Sequence, residues 1–118
     1  MTQEAGLRVV LIDNDVAVLE LLALDMRLEG HRVVATATTG EEGLRACTQR
    51  EPDVLVADLR LGRGIDGLEV VRRTPRPGPR VVLYTNYVSR RLVDAATKAG
   101  AVVVEKGSLH ALRRAVRG

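Results

Sequence analysis

Six residues of this chain have side chains suited to holding a hard cation and a charged oxyanion: Asp13, Asn14, Asp15, Asp58, Thr85 and Lys106. Carboxylate, amide and carbonyl oxygens converging on one point suit a divalent cation such as Mg2+, which prefers oxygen ligands and keeps part of its water. A lysine ammonium and a threonine hydroxyl supply the charge and the hydrogen-bond donor that phosphoryl oxygens take. Taken singly, each has a plainer reading. Asp13 and Asp15 read as turn or cap formers, and Thr85 as a strand residue. Asp58 resists that reading, because a loop follows it and no helix start lies close enough for it to cap. Lys106 precedes a serine that can open a helix, where a cation is disfavoured by about 0.3–1 kcal/mol, so an anion is expected nearby.

The elements that must position these residues are legible as five short apolar runs: Val9-Val10-Leu11-Ile12, Val33-Val34-Ala35, Val54-Leu55-Val56-Ala57, Val81-Val82-Leu83-Tyr84 and Ala101-Val102-Val103-Val104. Rich in β-branched residues and bounded by turn signals, they read as strands. Helical spacing follows each. Val16 to Glu29 places Val16, Leu19, Leu22, Ala23 and Met26 on one face, with Gly30 as the stop. Thr39 and Glu42 form a capping box ahead of a helix that turns Leu44 and Cys47 inward. Leu68 to Thr74 is a short helix ended by Pro75, and Ser89 to Ala99 is a fourth. Ser108 caps a fifth that presents Leu109, Leu112 and Val116 inward and His110, Arg113, Arg114 and Arg117 outward as a solvated face.

Alternating strands and helices require parallel pairing through right-handed crossovers, hence an α/β fold with a single doubly wound five-stranded sheet covered on both faces. The spacing suits the flavodoxin-like (βα)5 order 2-1-3-4-5, in which ligands bind beyond the carboxyl ends of the strands. All six chemistry-bearing residues fall at those ends. Residues 1–118 read as one domain, with no internal repeat.

Composition narrows the function. The single cysteine, Cys47, reads as a small core residue. No run of eighteen or more apolar residues occurs, and Met1 to Gly6 lack the order of a signal peptide, so a cytoplasmic protein without membrane contact is expected. Two tyrosines are the whole aromatic content, too few for base-stacking surfaces. Net charge is only +3, yet residues 1–59 carry five Lys/Arg against eleven Asp/Glu while residues 60–118 carry thirteen against four. Neither His31 nor His110 has a partner at ligand spacing.

The segments Val10-Leu11-Ile12-Asp13-Asn14-Asp15, Pro52-Asp53-Val54-Leu55-Val56-Ala57-Asp58-Leu59-Arg60-Leu61 and Asp66-Gly67-Leu68-Glu69, with Thr85 and Lys106-Gly107-Ser108, resemble receiver domains of two-component response regulators. The resemblance covers essentially the whole chain and rests on five motifs in order. It implies a phosphoprotein in which Asp58 takes a phosphoryl group from the phosphohistidine of a histidine kinase or phosphotransfer protein. It further implies Mg2+ held by Asp13, Asn14, Asp58 and the backbone carbonyl of Arg60, while Thr85 and Lys106 hold phosphoryl oxygens. Such a domain modifies itself and is not an enzyme on an external substrate. Its partners would also include an output domain or downstream protein, with transcription regulation as the outcome, and a homodimer is open. Direct nucleic-acid binding by this domain is not expected.

Several positions depart from the family's pattern. Asn14 stands where a second acid is usual, which weakens a cation site unless Asp15 turns inward. The loop Leu61 to Gly67 is glycine-rich and one residue longer than usual, and Gly107 replaces a common proline. Strand five is all valine, so Val103 or Val104 takes the place of the aromatic that usually reports phosphorylation; Tyr87 is a substitute by proximity. These departures keep one alternative open, a pseudo-receiver that recognises a partner without phosphate. Two further readings are weaker: a haloacid-dehalogenase-type phosphatase, whose late acidic motif is missing, and the receiver part of a DNA-binding regulator.

Overall fold

The computed structural model describes residues 6–118; Met1 to Ala5, read above for leader character, lie outside them. The five apolar runs form strands β1 (Arg8–Ile12), β2 (Arg32–Ala37), β3 (Val54–Ala57), β4 (Arg80–Thr85) and β5 (Ala101–Glu105). All neighbours pair in parallel in the order β2-β1-β3-β4-β5. The helices are α1 (Val16–Leu28), α2 (Gly40–Arg50), α3 (Gly67–Arg73), α4 (Arg90–Lys98) and α5 (Leu109–Arg117). The fold is thus the flavodoxin-like doubly wound sandwich that the periodicity implies.

Strand alternation divides the core into two layers. Val10, Ile12, Leu55, Ala57, Val81 and Leu83 pack with α2, α3 and α4, while Val9, Leu11, Val54, Val56, Val82 and Tyr84 pack with α1 and α5. β1 and β3 are central and buried on both faces, which is why they are almost wholly aliphatic. Cys47 is buried as expected, and burial pushes its thiol up to about 11.

Local expectations needed correction at four places. Val16 is exposed, because it opens α1 at the rim of the sheet one turn before Leu19 reaches the core. The Thr39 hydroxyl accepts from the Glu42 amide, but the Glu42 carboxylate accepts from that hydroxyl instead of reaching the Thr39 backbone, leaving half a capping box. Ser108 occupies the N-cap of α5 without a side-chain cap bond, since its backbone is not extended (ψ 71°) and does not aim the hydroxyl at the first turn. Arg113 and Arg117 are not simply solvated. Arg113 grips the buried carboxylate of Asp25 through both Nε and Nη2, and Arg117 binds Glu29 at 2.9 Å, clasping α5 to α1.

Candidate functional site

The carboxyl ends of β1 and β3 continue their ladders by one residue, and this fixes the two acids. Asp13 N–H donates to Ala37 O and Asp58 N–H to Ile12 O, at 3.1 and 3.0 Å. Both side chains are buried at the end of the sheet. Asp58 is further pinned by Gly67, whose amide donates to Leu59 O and whose α-carbon lies so close to the Asp58 carbonyl that a Cβ there would collide with it. That contact explains the glycine at the start of α3, where Asp66 supplies the cap by accepting from Glu69 N–H.

Lys106 arrives from the end of β5. Its amide donates to Thr85 O, extending the β4–β5 ladder, and Gly107 then turns the chain with φ +96°, a conformation glycine adopts freely. The Tyr84 hydroxyl accepts from Gly107 N–H at 2.9 Å and fastens that turn to β4. So held, Lys106 Nζ lies 2.8 Å from Asp13 Oδ2 and 2.8 Å from Asp58 Oδ2. Burial works against its charge, but the hydrogen bonds to Asp13 and Asp58 outweigh it and raise the ammonium above the usual lysine range. The anion expected beside Lys106 is therefore a pair of carboxylates.

The two acids are satisfied unequally. Asp13 Oδ1 accepts from Asp15 N–H at 2.8 Å, whereas Asp58 Oδ1 is buried and has no hydrogen-bond partner. Two carboxylates against one ammonium leave the cluster one negative charge in excess, with an orphaned oxygen on Asp58. An unpaired buried carboxylate oxygen costs free energy unless something binds it. A hard cation fits both features.

The other anticipated residues fall around this core. Thr85 is fully buried at the tip of β4, and its Oγ1 accepts from Tyr87 N–H at 3.2 Å, which leaves the hydroxyl proton free to donate. Asn14 is exposed, its amide leaning toward Gly62 in the β3–α3 loop. Asp15 does not turn inward: its carboxylate accepts from Ala17 N–H and caps α1. Among the described residues no three acidic, histidine or cysteine side chains converge as a metal-binding group. Arg60 is exposed in the β3–α3 loop, and its guanidinium stacks 4.0 Å from the centre of the Tyr87 ring. Of the two valines considered for the aromatic's place, Val103 packs in the layer of Leu83 and α4, the face that Thr85 shares by alternation, while Val104 packs toward α5.

Sequence reasoning missed the Arg60–Tyr87 stack and the Tyr84–Gly107 bond. Alternation along β4 was the available signal for Tyr84, since it puts Tyr84 on the opposite face from Thr85.

The chain is similar in sequence and fold to known proteins. The profile of the response regulator receiver domain matches residues 9–116. The transcriptional regulatory protein AfsQ1 of Streptomyces coelicolor is 46% identical over 67 residues, covering 57% of this chain and 29% of that protein. The signal receiver domain of NarL from Mycobacterium tuberculosis superposes with a TM-score of 0.86 at 26% identity, over 98% of this chain and 99% of that one. CheY in the CheX-CheY-BeF3-Mg complex from Borrelia burgdorferi gives a TM-score of 0.86 at 20% identity, over 96% and 89% of the two chains, a likeness of fold. This chain spans between a fifth and about half of the length of the curated relatives it matches. No helix among the described residues is long and apolar enough to cross a membrane. With its family profile matched along nearly the whole length, the chain belongs to the receiver domains of response regulators.

Proposed function

We propose that the chain is a phosphoacceptor receiver in which Asp58 takes a phosphoryl group from a phosphohistidine on a histidine kinase or phosphotransfer protein. The observation that carries this reading is the unpartnered, buried Oδ1 of Asp58 beside Lys106. In the transfer an Asp58 oxygen attacks phosphorus, the P–N bond breaks with its electron pair left on the imidazole, and an acyl phosphate forms. Lys106 follows the incoming phosphoryl oxygens while keeping its contact with Asp13. The Thr85 hydroxyl, already accepting from Tyr87 N–H, directs its own proton at them.

Asp13, Asp58, the Asn14 amide and the Arg60 carbonyl are the oxygen donors that would hold Mg2+. Bound there, it would neutralise the charge that gathers on the transferring group. The Mg- and BeF3-bearing CheY complex among the fold neighbours supports this by likeness alone. A partner or output domain would then sense the change at the strand tips. Phosphoryl incorporation from acetyl phosphate, with and without Mg2+, tests the reading in the parent and in Asp58→Asn. Incorporation only by the parent and only with Mg2+ is expected; equal incorporation by both removes Asp58 as the acceptor.

One observation favours the alternative of a pseudo-receiver. Asp15 is committed to capping α1 and position 14 carries an amide, so only two acids serve the pocket. Unchanged mass after acetyl phosphate and unshifted strand-tip amide signals with beryllofluoride and Mg2+ would establish it.

A further inference from the structure

All four prolines of the chain, Pro52, Pro75, Pro77 and Pro79, line one cleft of about 340 Å³. It lies between the end of α2 and the connector from α3 to β4, at the amino ends of β3 and β4, so the length of the sheet separates it from Asp58. That volume falls within the range of small-molecule sites. Proline has a fixed φ and no rotamers to freeze, so these walls are ordered before anything enters.

The chemistry of the walls says what would enter. Prolines carry no N–H, and no lysine, arginine or histidine lines the cleft. Thr48 commits its hydroxyl proton to Leu44 O at 3.3 Å, and the Glu51 N–H is committed to Cys47 O. The side-chain groups left free are acceptors: the Thr48 oxygen and the Glu51 carboxylate, which is exposed and forms no ion pair among the described residues. Arg8, which reaches the end of α2, donates to Arg50 O instead. Glu51 stands in the left-handed region (φ 49°), a conformation that glycine usually supplies at a helix end, and this points to a use for its carboxylate. Proline rings present C–H faces polarised by the adjacent amide nitrogen, which complement the negative face of an aromatic ring. Tyr84 and Tyr87, the chain's only aromatic residues, lie toward the opposite end of β4, so such a ring must come from outside.

We propose that the cleft is a binding site for a small aromatic amine, its ring laid against the prolines and its ammonium on Glu51. An aromatic acid would meet the carboxylate with the wrong charge, and an aliphatic amine would leave the proline faces uncovered. A probe of about a dozen non-hydrogen atoms that is not tailored to the cleft should bind with a Kd on the order of a millimolar. Because Asp58 lies at the other end of the sheet, binding neither needs nor blocks its modification.

Tryptamine tests this, because the chain has no tryptophan and the indole fluorescence belongs to the ligand alone. Its anisotropy and the amide signals of Thr48, Glu51 and Gly78 are followed to about 10 mM ligand, and all are expected to saturate with one Kd. Glu51→Gln should weaken binding about fivefold and Glu51→Lys by about tenfold or more, as loss and then reversal of one exposed charge imply, with urea transitions confirming that both variants fold. Indole-3-acetate, which keeps the ring and reverses the charge, and hexylamine, which keeps the charge and lacks the ring, should each bind at least about tenfold more weakly. Asp58→Asn should leave the tryptamine Kd unchanged. The proposal is overturned if no saturable shift occurs over that range, if Glu51→Gln binds as tightly as the parent, or if either comparison compound matches tryptamine. Loss of binding in Asp58→Asn also overturns it, by placing the amine in the acidic pocket.

Discussion

Two buried acids of this chain answer to arginine and lysine in different ways. Asp25, on the inner flank of α1, receives both Nε and Nη2 of Arg113, so each of its oxygens is occupied. Asp58, at the tip of β3, receives one bond from Lys106 on Oδ2 and nothing on Oδ1. The planar fork of a guanidinium closes a carboxylate, whereas a single ammonium shared between Asp13 and Asp58 leaves one open. The first arrangement holds two helices together. The second leaves a buried oxygen unmatched, at a cost in stability.

The sharpest way to test this contrast is to neutralise each acid. Asp58→Asn should abolish phosphoryl incorporation, measured by intact mass, while leaving the urea midpoint unchanged or raised, because it removes an unmatched buried charge. A fall in the midpoint would show that Asp58 is structural like Asp25. Lys106→Met should have the next largest effect, a loss of about 3 kcal/mol in urea unfolding at neutral pH, since it strands two buried carboxylates together. Its pH dependence has a definite sign. Lys106 is held above the ordinary lysine value in the folded chain, so its stabilisation is complete below that value and is lost as pH rises through the raised one. Toward high pH, the gap between parent and Lys106→Met should therefore begin to narrow only in strongly alkaline solution.

Asp25→Ala should cost about 2 kcal/mol, with phosphoryl incorporation intact, because the freed Arg113 can hydrate. Loss of incorporation without loss of stability would break the assignment of this pair to architecture. The smallest effect belongs to Tyr84→Phe, which removes the acceptor for Gly107 N–H. About 1 kcal/mol of stability should go, together with a slower incorporation rate as the turn bearing Lys106 loosens.

Much of this was legible beforehand, and for a physical reason. Strand and helix periodicity gave the element order and the sheet, because parallel strands buried on both faces must be continuous aliphatic runs. That in turn brought Asp13, Asp58, Thr85 and Lys106 to one edge. Which oxygen each proton faces was not legible, because the choice between capping and pocket at Asp15 turns on a backbone angle. Nor was the clasp of Arg113 on Asp25, which joins positions 88 apart. An acid between Leu24 and Met26 interrupts the apolar pattern of α1, and that interruption was the only trace the pair left.

The bridge made by Lys106 also bears on how the chain folds. It joins residues separated by 93 and 48 positions, drawing a cation from the basic second half into an acidic cluster built by the first. Contacts so distant in sequence carry a loop-closure penalty and form late. Until β5 docks, β1 and β3 would enclose two carboxylates with no counter-charge, a state the growing sheet resists. The pocket and the last strand thus complete one another, since Lys106, carried at the end of β5, supplies the cation that Asp13 and Asp58 share.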